Sequence, residues 1–172
     1  GKVRVYQGIV AGCAGGSYDN IAQVANIMKG QSIGSDYFNF IVYPASQPIS
    51  MNPMKQGAIT ELIKTGITLK TAFCGPCFGA GDVPGNDTLS IRHTTRNFPS
   101  REGSRPSDNQ ISSVALMDSL SIAATAINKG FLTPATRIDY DDEVKEYEFE
   151  PSIYSNRVYQ GFDNPNPKEE LR

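Results

Sequence analysis

The chain has 172 residues, with 16 Lys and Arg against 18 Asp and Glu, and 39% of its residues are hydrophobic. These values are typical of one folded domain with a well-buried core. The net charge of −2 gives no support to binding of nucleic acid or of an anionic membrane. No apolar run approaches the roughly 18 residues that would span a bilayer. Three cysteines, an odd number, argue against a disulfide framework and predict a reducing compartment, the cytoplasm.

The elements predicted in chain order alternate between strands and helices. We expect strands over 3–12, 38–46, 67–73 and 87–98, and helices over 17–30, 53–66 and 109–130. This alternation predicts an α/β domain, a three-layer αβα arrangement around a mostly parallel sheet. Reactive loops in such sheets gather at the carboxyl ends of the strands. Cys13 follows the first strand and Cys74 the third, so we expect both cysteines at the same edge.

The composition changes beyond residue 135. Residues 136–172 are rich in charged residues and Tyr, and they end in DNPNPKEELR. No hydrophobic periodicity in this stretch supports a second core. We therefore predict a folded domain over 1–135, followed by a charged surface segment and an extended linker over 136–172.

Cys74 and Cys77 form a Cys-x-x-Cys pair within TAFCGPCFGAGDVPGND. A structural zinc site would need two further ligands, for which Cys13 and His93, the single histidine, are available. A thioredoxin-like redox site would need an α-helix that begins at the pair, and the glycine-rich sequence after Cys77 does not favour one. Buried, inert thiols at a turn are the third interpretation. His93 itself is predicted to be a structural residue on a strand.

An iron–sulfur cluster held by three thiolates would use every cysteine of the chain. Three protein ligands on a four-iron cluster leave one iron open to bind a substrate oxygen as a Lewis acid. The small residues in GCAGG and CGPCFG would let the backbone approach the cluster sulfides closely. This interpretation stands beside the zinc, redox and inert ones at this point.

The segments AGCAGGSYDN, CGPC and RNFPSREGSRP, in this order and at these separations, resemble the third domain of the aconitase family of iron–sulfur hydro-lyases. The resemblance covers about residues 3–130. It implies that Cys13, Cys74 and Cys77 ligate a [4Fe–4S] cluster. It also implies that Arg96 and Arg101 bind substrate carboxylates, a role suited to the bidentate guanidinium.

The same resemblance implies a piece of a longer hydratase. The tail YSNRVYQGFDNPNPKEEL is similar to the connection to the family's C-terminal swivel domain, and the chain begins with Gly rather than Met. The implied reaction is reversible dehydration of a hydroxy di- or tricarboxylic acid, with acid–base groups from other domains of the same protein. We assign no catalytic residue within the chain. We expect the isolated chain to be inactive, with or without a bound cluster. Two alternatives remain: a non-catalytic binding or regulatory module with this fold, and a zinc or thiol-redox site at Cys74 and Cys77.

Two departures from the family pattern leave the substrate and the activity open. Ala14-Gly15-Gly16 stands where most members have Thr-Asn-Ser, and Thr95 stands where Asn is usual. Arg92 and Arg105 match no position of the pattern. The glycine-rich stretch 79–85 is predicted to be a turn, since it lacks the G-K-[ST] ending of a phosphate-binding loop. Asp82 and Asp87 are likewise predicted to be turn residues.

Overall fold

One parallel sheet of five strands organises the computed structural model, which describes residues 1–34, 37–95 and 98–157. The strands are β1 (Gln7–Val10), β2 (Asn39–Val42), β3 (Thr68–Leu69), β4 (Leu89–His93) and β5 (Ser113–Leu116). Their order across the sheet is β3-β2-β1-β4-β5, and every pairing is parallel. The predicted α/β class and parallel sheet are confirmed.

Six α-helices accompany the sheet in the described part of the chain. They are α1 (Gly12–Gly15), α2 (Tyr18–Met28), α3 (Gln47–Lys55), α4 (Ala58–Lys64), α5 (Ser119–Ile127) and α6 (Ser152–Arg157). Ser17 caps α2 as the sequence predicts, because its hydroxyl accepts a hydrogen bond from the Asn20 backbone amide at 3.3 Å.

The predicted helix over 109–130 is wrong in its first half. Residues Ser113–Leu116 instead form the edge strand β5, which pairs with β4. The helix begins only at Ser119, where the Asp118 carboxylate accepts a hydrogen bond from the Ser121 amide at 2.8 Å. Non-local pairing with β4 thus prevails over the local helical pattern.

The helix predicted over 53–66 is divided into α3 and α4. Gly57 lies between them with φ of +79°, a left-handed conformation that ends one helix and starts the next. Ser46 caps α3 by accepting a hydrogen bond from the Ile49 amide, so this helix begins before the predicted boundary.

The helices α2, α4 and α5 cover one face of the sheet. Val10, Phe40 and Ile91 point from the strands into this layer. The helices contribute Ile21, Val24, Met28, Leu62 and Ile122 to the same buried core. A second buried cluster consists of Ile9, Ala11, Ile41 and Tyr43. Ile9 and Ile41 alternate along their strands with the residues of the main core, so they point to the opposite face of the sheet.

The opposite face is covered by the connections that lead into β4 and β5. The chain moves from β1 to β3 in one direction across the sheet and then returns past β1 to β4 and β5. Because crossovers between parallel strands are right-handed, the returning connections lie on the other face. The expected third layer is therefore built, among the described residues, from turns rather than from long helices.

The segment 138–157 crosses the helical layer. Tyr18 donates a hydrogen bond to the Lys145 carbonyl at 2.7 Å, and Asn26 donates to the Glu143 carbonyl at 2.7 Å. The Asn52 amide bonds to both the backbone N–H and the carbonyl of Glu148. The division at residue 135 stays a prediction, and of the surface segment and linker predicted over 136–172, residues 158–172 lie outside the described residues. The helices that the structure describes include none with the length and apolarity to cross a membrane.

Candidate metal centre

The cysteines lie at the carboxyl edge of the sheet. Cys13 is in α1, shortly after β1, whereas Cys74 precedes and Cys77 ends the 3₁₀ turn Gly75–Cys77 after β3. β1 pairs with β2 and β2 with β3, both in parallel, so the ends of β1 and β3, which Cys13 and Cys74 follow, lie at the same edge of the sheet. The expectation that these strand ends share one edge is therefore met.

Cys77 packs against Gly12, the first residue of α1, just beyond the end of β1. Its side chain is only 4% exposed. A Cβ atom added to Gly12 would lie 2.7 Å from the Cys77 sulfur, so the thiol occupies space that only glycine leaves open. Gly12 also has φ of +72°, which favours glycine. This packing brings Cys77 beside the residue that precedes Cys13.

The other two thiols are not gathered around Cys77. Cys13 and Cys74 are exposed, and all three cysteines are free. Across residues 1–34, 37–95 and 98–157, no group of three or more His, Cys, Asp or Glu side chains could hold a metal ion as it stands. The donor chemistry, three free thiols at one edge with a glycine cradle, fits the thiolate ligand set of an iron–sulfur cluster. The three sulfurs are not pre-assembled into that set.

The hydrogen bonds of His93 do not favour a role as a fourth metal ligand. Its Nδ1 lies 2.7 Å from the Ser119 hydroxyl and accepts a hydrogen bond from the Ser119 amide at 3.2 Å. It therefore holds the first turn of α5, which agrees with the predicted structural role. Burial lowers the pKa of His93, and the nearby Asp118 opposes this shift.

Arg101 lies against the cysteine turn. Its Nε donates a hydrogen bond to the Cys77 carbonyl, and its Nη2 donates to the Thr95 hydroxyl at 3.0 Å. The guanidinium carbon is 4.6 Å from the centre of the Phe98 ring. Arg101, predicted to bind a substrate carboxylate, is thus next to Cys77. Arg96, predicted to share that role, lies outside the described residues.

Arg92 is a site residue that sequence reasoning missed. It is 2% exposed, and its Nη1 donates to the Pro76 carbonyl at 2.9 Å. Burial lowers the pKa of Arg92, whereas Glu102, Asp82 and Cys77 raise it. The available signal was an arginine inside the apolar strand LSIRH, at the position alternate to Ser90.

Asp82 ties the glycine-rich connection to two strand ends. It accepts hydrogen bonds from Lys70 Nζ at 2.7 Å and from the Tyr43 hydroxyl. Burial and the bond to Asp82 raise the pKa of Tyr43, and the bond to Asp82 raises that of Lys70. With φ of +52°, Asp82 is also the turn residue that the sequence predicts.

The segment Ala14-Gly15-Gly16 departs from the Thr-Asn-Ser of the family pattern, and packing explains why its residues are small. A Cβ atom on Gly15 would overlap the His93 carbonyl, and one on Gly16 would overlap the Tyr43 carbonyl. The side chain of Asn20 donates hydrogen bonds to the carbonyls of Ala14 and Gly15 at 3.1 and 3.0 Å. In this backbone the last two positions of the segment therefore exclude the polar side chains of the family pattern.

A family model described as "Aconitase family (aconitate hydratase)" matches residues 1–124. The chain is 30% identical over 129 residues to the 3-isopropylmalate dehydratase large subunit of Thermoanaerobacter pseudethanolicus, covering 74% of this chain. It is 31% identical over 131 residues to the methanogen homoaconitase large subunit of Methanocaldococcus jannaschii, covering 76% of this chain. It spans only 31% and 30% of the lengths of these two relatives.

Proposed function

The chain belongs to the aconitase family, and from this premise we propose that it is the cluster-carrying part of a hydro-lyase acting on a hydroxy di- or tricarboxylic acid. The observation that carries the proposal is the packing of Cys77 against Gly12, which joins the Cys-x-x-Cys turn to the strand end bearing Cys13. The relatives named as 3-isopropylmalate dehydratase and homoaconitase support this reaction class.

We assign the ligand role for a [4Fe–4S] cluster to Cys13, Cys74 and Cys77. When bound, such a cluster supplies a Lewis acid for the substrate hydroxyl. Arg96 and Arg101 are assigned to substrate carboxylates, for which the guanidinium offers paired donors. Arg101 already donates to the Cys77 carbonyl, so the proposed carboxylate site adjoins the ligand site.

The isolated chain is proposed to be inactive. Dehydration requires a base that removes a proton from carbon as well as assistance to the departing hydroxide. At this edge the titratable groups of Lys70, Asp82 and Tyr43 are hydrogen-bonded to one another. The missing acid–base groups are assigned to the rest of the protein, beyond a linker that we place within 136–172. Because both relatives are named large subunits, a separate partner chain can supply part of them. The three free thiols suit a reducing compartment such as the cytoplasm.

Metal and sulfide analysis of the full-length protein, prepared without oxygen, tests this proposal. We expect about four irons per chain and visible absorption that is lost in Cys13→Ser, Cys74→Ser and Cys77→Ser. Ser155→Ala, a substitution on exposed helix α6, is the control that should keep both. Stoichiometric zinc without iron, or no metal at all, would contradict the cluster.

A non-catalytic binding module is the second candidate, and the packing of Gly15 and Gly16 favours it. These positions admit no polar side chains beside the ligand site, unlike the pattern of most family members. Turnover of hydroxy-acids by the cluster-loaded full-length protein separates the candidates. Hydration or dehydration of any member of a di- and tricarboxylate panel supports the enzyme, whereas saturable binding without turnover supports the module.

A further inference from the structure

Arg92 places a buried guanidinium beneath the cysteine turn. The residue lies on β4, in register with Ile9 of β1, and its side chain is 2% exposed. It shares its face of the sheet with Ser90 and Gln7. This is the face opposite the main helical core, covered by the connection that carries Cys74 and Cys77.

The hydrogen bonds of Arg92 all go to neutral acceptors. Nη1 donates to the Pro76 carbonyl at 2.9 Å, and Nη2 to the Asp82 carbonyl at 2.8 Å. Nη2 also donates to Gln7 Oε1 at 3.0 Å, and Nε to the Ser90 hydroxyl at 3.0 Å. Every salt bridge within the described residues is formed by a lysine, and Arg92 takes part in none of them. Glu102 and Asp82 are near enough to raise the pKa of Arg92, but neither carboxylate forms an ion pair with it among the described residues. The guanidinium instead directs its hydrogen bonds to the cysteine turn and to the strands.

A second guanidinium holds the next carbonyl along the chain. Arg101 donates to the Cys77 carbonyl, whereas Arg92 donates to that of Pro76. The Cys77 amide donates to the Cys74 carbonyl at 2.9 Å. Both peptide units that flank the Cys77 α-carbon are therefore fixed by hydrogen bonds. Arg92 holds the one before it and Arg101 the one after it.

We propose that Arg92 is a positioning residue: its guanidinium holds the cysteine turn so that Cys77 stays against Gly12. The same guanidinium places a permanent positive charge behind the ligand site. Three thiolates with inorganic sulfides make a loaded iron–sulfur site anionic, so a fixed cation on its protein side stabilises the loaded form. The part of this inference that concerns the cluster rests on the proposed function, whereas the part that concerns the turn does not.

Amide hydrogen exchange of the full-length protein before cluster loading tests the turn. Arg92→Gln removes the charge and the paired donors, and we expect exchange in residues 74–83 to accelerate at least tenfold while α2 and α5 keep their rates. Arg105→Gln, a change of an exposed arginine on the β4–β5 connection, should leave residues 74–83 unaffected. If α2 and α5 also accelerate in Arg92→Gln, Arg92→Lys decides. That variant keeps the charge but cannot hold the Pro76 and Asp82 carbonyls at once, so residues 74–83 should still exchange faster relative to α5.

Cluster retention tests the role of the charge. After loading, we expect a chelator to bleach the visible absorption about tenfold faster in Arg92→Gln than in the wild type, with Arg92→Lys in between. Wild-type exchange in residues 74–83 together with a wild-type bleaching rate would overturn the proposal. If the wild-type protein takes up no iron, the proposed function fails, and the exchange experiment still decides whether Arg92 holds the turn.

Discussion

The sulfur of Cys77 fills the space beside Gly12 that a side chain at that position would occupy. This relationship joins two segments more than sixty residues apart, because an added Cβ at Gly12 would lie 2.7 Å from the sulfur. Through this contact the Cys-x-x-Cys turn, which follows β3, packs against the segment that follows β1. The position of the Cys-x-x-Cys turn relative to Cys13 therefore depends on this contact.

Gly12→Ala should damage the ligand site, and Gly30→Ala provides a matched control. Both glycines have φ of +72°, but an added Cβ at Gly30 meets no atom within 4 Å. We expect each substitution to lower the free energy of unfolding by roughly 1 kcal/mol through backbone strain. Gly12→Ala should lose about 1–3 kcal/mol more by overpacking.

Chemical denaturation and iron analysis of the two variants provide the measurement. Iron per chain in the loaded full-length protein should fall in Gly12→Ala and stay at the wild-type level in Gly30→Ala. Equal stability and equal iron content in the two variants would show that the contact between Cys77 and Gly12 has no such importance.

His93 should make the stability fall as the pH is lowered. Burial lowers its pKa below the ordinary value of 6.5, with Asp118 in opposition, so the unfolded chain takes up the proton before the folded one. The free energy of unfolding contributed by neutral His93 is therefore present above pH 6.5. It is lost as the pH falls from there through the folded pKa. A protonated ring could no longer accept from the Ser119 amide at the start of α5.

The single histidine makes this dependence easy to isolate. Denaturant titrations between pH 5 and pH 8, with NMR titration of the imidazole, would measure it. His93→Asn, whose side-chain oxygen can still accept from Ser119, should flatten the curve below pH 6.5. An imidazole that titrates at or above 6.5 in the folded protein would refute the prediction.

Asp82→Asn should loosen the glycine-rich connection after the cysteine turn. The carboxylate joins Lys70 and Tyr43, and hydrogen bonds to charged groups contribute roughly 1.5–3 kcal/mol when well sheltered. Lys70 is partly exposed, so we expect a loss of about 1–2 kcal/mol in the free energy of unfolding. Asp87→Asn is the control, since Asp87 also has positive φ but is exposed. Its effect should stay within about 0.5 kcal/mol, and similar losses in both variants would argue against the Asp82 bonds.

Asn52→Ala should release the segment that crosses the helical layer. Asn52 is 2% exposed and bonds to both backbone groups of Glu148, so its loss removes two part-buried hydrogen bonds. We expect about 1–3 kcal/mol less stability and faster limited proteolysis within 141–150. Asn26→Ala, which removes one exposed hydrogen bond to Glu143, should have the smaller effect. Unchanged proteolysis in Asn52→Ala would mean that other contacts hold the segment.

Local pattern was sufficient for the main elements of the fold. A buried run that ends in small residues predicts β1, an apolar run interrupted by Pro44 predicts β2, and the helical spacing after Ser17 predicts α2. These signals all reside in consecutive residues. The alternation of strands and helices then predicts a parallel sheet, which brings Cys13 and Cys74 to one edge. The same reasoning failed at Ser113–Leu116, whose strand depends on pairing with β4 across the sheet.

By itself, the sequence determined the α/β class, the family to which the chain belongs and the sheet edge at which its cysteines lie. The tertiary structure decided how that edge is built. Only packing shows that Cys77 fills the space at Gly12, that Gly15 excludes a side chain, and that Arg92 supports the turn from beneath. These contacts join residues that are distant along the chain, and neither periodicity nor spacing records which backbone carbonyl a buried guanidinium will meet.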